Sequence, residues 1–391
     1  MNPAASQTAL VLSGGGAYGA FEVGVMKVLF AGRSPSTHYR PLNPAIFSGT
    51  SIGSLNSAIM VGSSDESSLN GALRLENVWL DGIAEKPGGC GNGVFRLRGD
   101  PAEYLDPDCL QSPVKTGMRL ADDSVFLSSY FLSRAANFIA SSQPLKDRLV
   151  QLVNIGSFLD TAPYQDLLRE VINEQDIRQS SKKLRITATN WITGNAVQFD
   201  NSAFHDDLGV RAVMASTAIP GVFPPVTIGA DSFVDGGVVE NTPLKPAIKA
   251  GATELHVILL DPRQTNVRLN AEPSTADSIL RTYSQMLAVI VKEDIETARW
   301  VNTGIRALEN YRQTQQVSSN EVEDFLKVAS QFLAARGVPL KPLTIHVYLP
   351  GESLGGALGM LDLRLDPILK MIAEGERVAM LHDCRKSGCV I

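Results

Sequence analysis

The stretch Gly49-Thr50-Ser51-Ile52-Gly53 constrains the fold of this chain more than any other segment of its length. An apolar run, Ala45-Ile46-Phe47-Ser48, precedes it and reads as a strand, and Ile52 to Val61 follows with helical spacing. A serine flanked in this way is the G-x-S-x-G elbow. The glycines two residues either side of Ser51 let strand and helix approach where a Cβ would clash, and the turn lifts the serine Oγ clear of the sheet edge. The positive end of the following helix favours partial negative charge on that oxygen. Read alone, the same five residues are also compatible with a plain glycine turn.

A second glycine motif lies upstream. Thr8-Ala9-Leu10-Val11-Leu12 is a short buried strand, ended by Ser13 and by Gly14-Gly15-Gly16-Ala17-Tyr18-Gly19. Ala17 to Phe30 then takes helical spacing, with Phe21, Val25 and Leu29 on one face. The loop satisfies G-x-G-x-x-G in strand–turn–helix context, the pattern of a dinucleotide site. Such a site also wants an acidic residue about twenty positions on for the ribose hydroxyl. No Asp or Glu occurs between Glu22 and Asp65, so the nucleotide reading fails. What remains is a turn of unobstructed backbone N–H groups at a helix N-terminus, suited to an oxyanion as well as to a phosphate.

A serine nucleophile needs a base. Of the five histidines, His256 and His346 fall within apolar strands, His38 sits among prolines and His382 lies in the tail. His205, followed by Asp206 and Asp207, is the least easily set aside, yet no histidine has a recognisable triad context. A carboxylate is the alternative. Phe233-Val234-Asp235-Gly236-Gly237 puts an aspartate at a strand end, although Asp-Gly is equally a leading turn signal. Local sequence does not choose between base and turn.

The rest of the chain fits an α/β domain. Hydrophobic residues make up 44% and charged ones 19% of 391, an ordinary globular balance. Lys and Arg total 35 against 41 Asp and Glu, a net charge of −6, so no strong positive field invites nucleic acid. From about 87 to 181 a glycine run and several Asp-Pro steps break the rhythm around an apolar helical stretch, Phe126 to Ile139. Those aromatics either pack on the sheet or form a lid or acyl-binding wall. Strands are expected again at Leu184–Thr189, Ala196–Phe199, Leu255–Leu260 and Leu343–Leu349. Long helices are expected over 276–302 and 318–335, with a terminal helix through Arg377. Strand–helix alternation predicts a parallel sheet covered on both faces. The four cysteines, Cys90, Cys109, Cys384 and Cys389, form no C-x-x-C pair, so reduced thiols without structural zinc are expected. With no apolar run of membrane-spanning length and no Sec-type leader, the expected location is cytoplasmic, or exported without such a signal, with peripheral membrane contact open.

In their order, these blocks resemble the patatin-like phospholipase family: the loop 14–19, Gly49-Thr50-Ser51-Ile52-Gly53, Ala215-Ser216-Thr217-Ala218-Ile219-Pro220-Gly221-Val222-Phe223-Pro224-Pro225, and Asp235-Gly236-Gly237. The resemblance runs over 8–262 as a catalytic core, with 87–181 matched weakly as an insertion and 275–391 as C-terminal helices and a strand packing on the core. It implies a three-layer αβα fold with a mostly parallel sheet and a Ser–Asp dyad. By it Ser51 is the nucleophile, Asp235 the base, and the N–H groups of Gly14, Gly15 and Gly16 the oxyanion hole, with Gly19, Gly49, Gly53, Gly236 and Gly237 supporting the turns. It also implies a phospholipid or other acyl-ester lipid as substrate, presented at a membrane or micelle surface, and neither cofactor nor metal. A non-catalytic lipid-binding protein on the same scaffold is the alternative. Tyr18 stands where the family's loop usually carries Arg or Lys, which takes a cation away from the anion-binding turn and implies neutral or lyso lipids. Oligomeric state is not legible in the sequence.

Overall fold

The computed structural model describes residues 7–63, 66–86, 159–260, 295–307, 342–352 and 359–390, with a few single positions between them. Its centre is an eight-stranded sheet. The strands, in chain order, are β1 (Gln7–Leu12), β2 (Ile46–Thr50), β5 (Lys183–Asn190), β6 (Ala196–Asp200), β7 (Val226–Ile228), β8 (Asp231–Asp235), β9 (Ala252–Ile258) and β10 (Thr344–Tyr348); β3 (Arg96–Leu97) and β4 (Leu159–Asp160) form a separate antiparallel ribbon. Across the sheet the order is β10-β9-β1-β2-β5-β8-β7, with β6 also paired to β5. The five strands from β10 to β5 are parallel, while β6, β7 and β8 run antiparallel to their neighbours. The fold is therefore α/β with a mostly parallel sheet.

Composition explains the division. The central strands β1 and β2 are almost wholly buried, as continuous apolar runs covered on both faces should be. Their helices are α1 (Gly19–Phe30), entered through a 3₁₀ turn at Gly16–Tyr18, and α2 (Ile52–Gly62). Both are mostly apolar and buried on nearly every side. Outer helices are amphipathic: α3 (Ser68–Asn77), α4 (Ala162–Val171), α5 (Leu208–Ser216) and α6 (Leu365–Met380). Lys27 on α1 bridges Glu76 of α3 and Glu376 of α6, both at 2.6 Å. The C-terminal part is thus built into the core: β10 extends the sheet and α6 lies against α1.

β1 is the point at which strand order reverses, later strands being added on both of its sides. The carboxyl ends of the parallel strands, where the glycine loop leaves β1 and Ser51 follows β2, form the edge at which open α/β sheets place ligands. No helix among the described residues is long and apolar enough to cross a membrane.

One expectation changes here. Cys384 and Cys389 are joined as a disulfide, not held as free thiols; α7 (Cys384–Ser387) and its αL cap at Gly388 fold the chain back until their Cα atoms stand 5.0 Å apart. Cys90 and Cys109 lie outside the described residues. So do the expected helix over 318–335, except for two single positions, and most of the apolar stretch 126–139.

Candidate active site

Ser51 is the residue on which β2 hands over to α2, and it adopts φ 53°, ψ −127°. A non-glycine residue held there stores on the order of 1–3 kcal/mol of backbone strain. The surroundings fix that conformation. The Ser51 N–H donates to Ser216 Oγ at 2.9 Å, and Ser216 Oγ–H donates in turn to the Thr187 carbonyl on β5 at 2.6 Å. The flanking glycines are compulsory: a Cβ on Gly49 would strike the Gly53 carbonyl, and one on Gly53 the Leu12 carbonyl of β1.

Sheet register brings the carboxylate to the same edge. Thr50 on β2 is level with Thr187 on β5, and the next β5 residue, Ala188, is opposite Asp235 at the end of β8. The Ser51 hydroxyl donates to Asp235 Oδ2 at 2.6 Å. Oδ1 of the same carboxylate accepts the Gly237 N–H at 2.7 Å, so the turn glycine orients the acid. Gly236 packs against the Thr187 carbonyl, and its N–H donates to the Ser216 carbonyl at 3.3 Å. Both Ser51 and Asp235 are buried, and Asp235 has no exposed surface. A carboxylate shielded from water accepts a serine proton more readily than a solvated one.

The glycine loop leaves β1 beside this pair. Gly14 lies so close to Ser51 that a Cβ on it would stand 2.8 Å from the serine Cβ. Its N–H is already engaged, donating to Asn241 Oδ1 at 3.1 Å and to the Asn241 carbonyl at 3.2 Å, while Asn241 Nδ2 donates back to the Gly14 carbonyl at 3.3 Å. That takes Gly14 out of the expected trio of oxyanion donors. The N–H groups of Gly15 and Gly16 donate to no acceptor among the described residues, and Gly16 has φ 58°. Gly19, at the start of α1, faces Ile52 and Trp79.

Below the loop is a buried polar knot. Glu22 on α1 has no exposed surface; its Oε2 accepts from Asn56 Nδ2 at 2.7 Å, and Asn56 also bonds the Gly19 carbonyl and the Trp79 indole. Burial raises the Glu22 carboxyl well above the usual carboxylate range, against the opposing hydrogen bonds from Asn56 and Ser13.

Ser51 opens onto a pocket of about 40 Å³, room for a few waters. Its walls come from distant parts of the chain: Ile52, Tyr164 of α4, Thr217, Phe223, Met360 and Leu363 among them. Burial raises the Tyr164 hydroxyl above the usual phenol range, and the nearby Asp235 charge adds to that, so it stays protonated. A second cavity of about 190 Å³ lies beyond Tyr164, Thr217 and Phe223, which wall both. No histidine lines either cavity: His205 is bonded to Asp206 on the surface, and His256, His346 and His382 cluster at the β9–β10 edge. Tyr18 is buried in the core beside Gly359. Sequence reasoning did not single out Ser216, Asn241, Tyr164 or Glu22. Only Ser216 carried a signal, lying within the block 215–225.

Comparison with known proteins gives the chain its family. A family model described as Patatin-like phospholipase matches residues 10–248. Two curated relatives, "Uncharacterized NTE family protein Mb1092c" of Mycobacterium bovis and "Uncharacterized NTE family protein Rv1063c" of Mycobacterium tuberculosis, are each 26% identical over 148 residues. That match takes in 38% of this chain and 39% of each relative's length. Among solved structures, VipD from Legionella pneumophila aligns over 95% of this chain and 67% of its own at 12% identity, with a TM-score of 0.32.

Proposed function

The chain belongs to the patatin-like phospholipase family, and from that premise we propose that it is a lipid acyl hydrolase of the phospholipase A or lysophospholipase type, working through a Ser51–Asp235 dyad. The observation that carries this reading is the 2.6 Å hydrogen bond from Ser51 Oγ to Asp235 Oδ2, at the sheet edge beside two unengaged glycine amides. Ser51 Oγ attacks the ester carbonyl carbon while its proton passes to Asp235. The N–H groups of Gly15 and Gly16 receive the oxyanion, and Gly14, tied to Asn241, holds the loop in place. Collapse of the tetrahedral intermediate breaks the ester C–O bond, and the leaving alcohol takes the proton from Asp235. Water then attacks the acyl-enzyme as Asp235 accepts a proton again; collapse of this second intermediate breaks the bond to Ser51 Oγ, Asp235 returns the proton to that oxygen, and the acid product leaves. Every group needed for this sequence is a side chain or amide of the chain itself. An oxyanion donor in such a site is worth about 100- to 1000-fold in turnover.

The test is a lipid-panel hydrolysis assay with fluorophosphonate labelling of wild type, Ser51→Ala and Asp235→Asn. Both variants should lose activity on the order of a thousandfold or more, and Ser51→Ala should lose the label. Retained hydrolysis or labelling in Ser51→Ala would overturn the mechanism. Wild-type protein that binds vesicles yet releases no fatty acid from any lipid would favour a non-catalytic role.

A further inference from the structure

The β10 edge of the sheet carries a cluster that the acyl-transfer reading does not use. His346 lies at the middle of β10, level with His256 on β9. The chain after α6 returns to this strand. His382 and Cys384 arrive first, α7 ends at Gly388 in the αL conformation, and Cys389 comes back beside Cys384. Val390 then pairs with Ile345 through hydrogen bonds of 2.7 and 2.9 Å, which seats the loop on the strand. Cys384 Sγ stands 3.3 Å from His382 Nε2 and 3.4 Å from His346 Nδ1, and Cys389 Sγ 3.5 Å from His382 Nε2. One ligand atom from each of the four residues lies within 4.8 Å of the other three.

We propose that, once the Cys384–Cys389 disulfide is reduced, His346, His382, Cys384 and Cys389 bind one zinc ion in a tetrahedral Cys₂His₂ site. Zinc–sulfur bonds of about 2.3 Å and zinc–nitrogen bonds of about 2.0–2.1 Å give a tetrahedron whose S···N edges are about 3.6 Å. The three S···N separations above fall close to that value before any metal has drawn the ligands in. Opening the disulfide lets the sulfurs part to the S···S edge of about 3.8 Å that the same bond lengths require. The C-x₄-C spacing of Cys384 and Cys389 falls within the range of zinc-binding cysteine pairs, and the fold, not sequence spacing, brings His346 to join His382 beside them. Two thiolates with two imidazoles are a donor set that suits zinc.

The surroundings hold the histidines in place. His256, fully buried, stacks on His346 with ring centroids 4.8 Å apart, and the Tyr348 ring lies 4.5 Å from that of His382. Tyr348 OH is 2.8 Å from His256 Nδ1 and 2.6 Å from Ser36 Oγ. Glu254 in turn is 3.4 Å from His256 Nε2, so the ring that stacks on His346 is itself held from both sides. The chemistry balances simply. A dithiol gives two electrons and two protons to the S–S bond, becoming a cyclic disulfide and leaving two thiols. Zinc then displaces both thiol protons to solvent. In the disulfide state the Val390–Ile345 hydrogen bonds hold the tail to the edge strand, and in the zinc state a metal shared with β10 adds to them.

This site stands apart from Ser51 and does not depend on its chemistry. The test uses the full chain, reduced with dithiothreitol, exchanged without oxygen into metal-free buffer, and titrated with Co²⁺ and then Zn²⁺. One equivalent of Co²⁺ should give tetrahedral d–d bands and a thiolate-to-cobalt charge-transfer band, and Zn²⁺ should abolish both. Cys384→Ser/Cys389→Ser should lose the charge-transfer band, and the oxidised wild type should never show it. X-ray absorption of the zinc-loaded wild type should report two sulfur and two nitrogen donors, which keeps the test decisive should the double variant fold poorly. No charge-transfer band in the reduced wild type, a band that survives in the double variant, or a shell of different composition would each overturn the proposal.

Discussion

Ser216 shows how much of the proposed dyad rests on a residue outside it. Its hydroxyl takes the proton of the Ser51 N–H and gives its own to Thr187, fixing a serine whose backbone is in a sparsely populated conformation. Ser216→Ala leaves a buried N–H without an acceptor, which costs about 1–3 kcal/mol. Urea unfolding should register that loss, and kcat should fall with little change in KM, because the defect lies in the aim of Ser51 and not in the pocket. Glu22 makes a second case, through protons. Its folded-state pKa lies above its unfolded one, so the native chain holds an extra proton between the two values, and stability is lost as pH rises through that window. Glu22→Gln removes the titration. Its melting temperature relative to wild type should be most favourable near pH 8 and least near pH 4, with a difference of about 2–4 °C for each kcal/mol involved. A constant offset across pH would show that Glu22 does not stay protonated in the fold.

At the scale of elements, the two strand–glycine–helix units were readable from sequence, because each combines an apolar run, a glycine turn and a helical period within about 20 residues. β1, α1, β2 and α2 accordingly fall within a residue or two of the expected bounds. Asp235 at the end of β8 was legible only as one of two options, since Asp-Gly serves a turn as well as a base. What brings it within hydrogen-bond reach of Ser51 is register across three strands, a long-range property that local sequence does not encode. The engagement of Gly14 by Asn241 and the tyrosine from α4 were hidden for the same reason; the cysteine pairing is local, made by the αL turn at Gly388, which cysteine spacing alone does not reveal. The pocket wall belongs to this scale too. Phe223, Tyr164 and Thr217 separate the space at Ser51, too small for an acyl chain, from the larger cavity beyond. Phe223→Ala should join the two and move the preferred p-nitrophenyl ester from short chains towards longer ones, read as the ratio of kcat/KM values along a chain-length series. A uniform loss at all lengths would mean that the acyl group takes another path.

For the whole molecule the question is which face meets a lipid aggregate, and the parallel strands give a direction. The glycine loop follows β1, Ser51 follows β2, and the turn between β5 and β6 follows β5, so all three leave the same edge of the sheet. That last turn carries Trp191 and Ile192, which are 61% and 69% exposed. It is not slack: the Trp191 N–H donates to the Ser232 carbonyl at 2.8 Å, and Asn190 Oδ1 accepts from the N–H groups of Ile192 and Thr193 at 2.9 and 3.0 Å. A firmly held turn offering an indole and a branched aliphatic side chain suits a membrane interface, where tryptophan is enriched. A net charge of −6 gives the chain no overall attraction to anionic lipid, so adhesion at this face would rest on apolar insertion. Burying an isoleucine-sized side chain is worth about 1.5–3 kcal/mol, and each 1.4 kcal/mol is about tenfold in partition. Trp191→Ser/Ile192→Ser should therefore cut hydrolysis of zwitterionic vesicles roughly tenfold or more, while a soluble short-chain ester, which needs only the dyad and the glycine amides, is turned over at the wild-type rate. Equal losses on both substrates would place the defect in the fold of the β5–β6 hairpin, and equal retention would send the search for the docking face elsewhere.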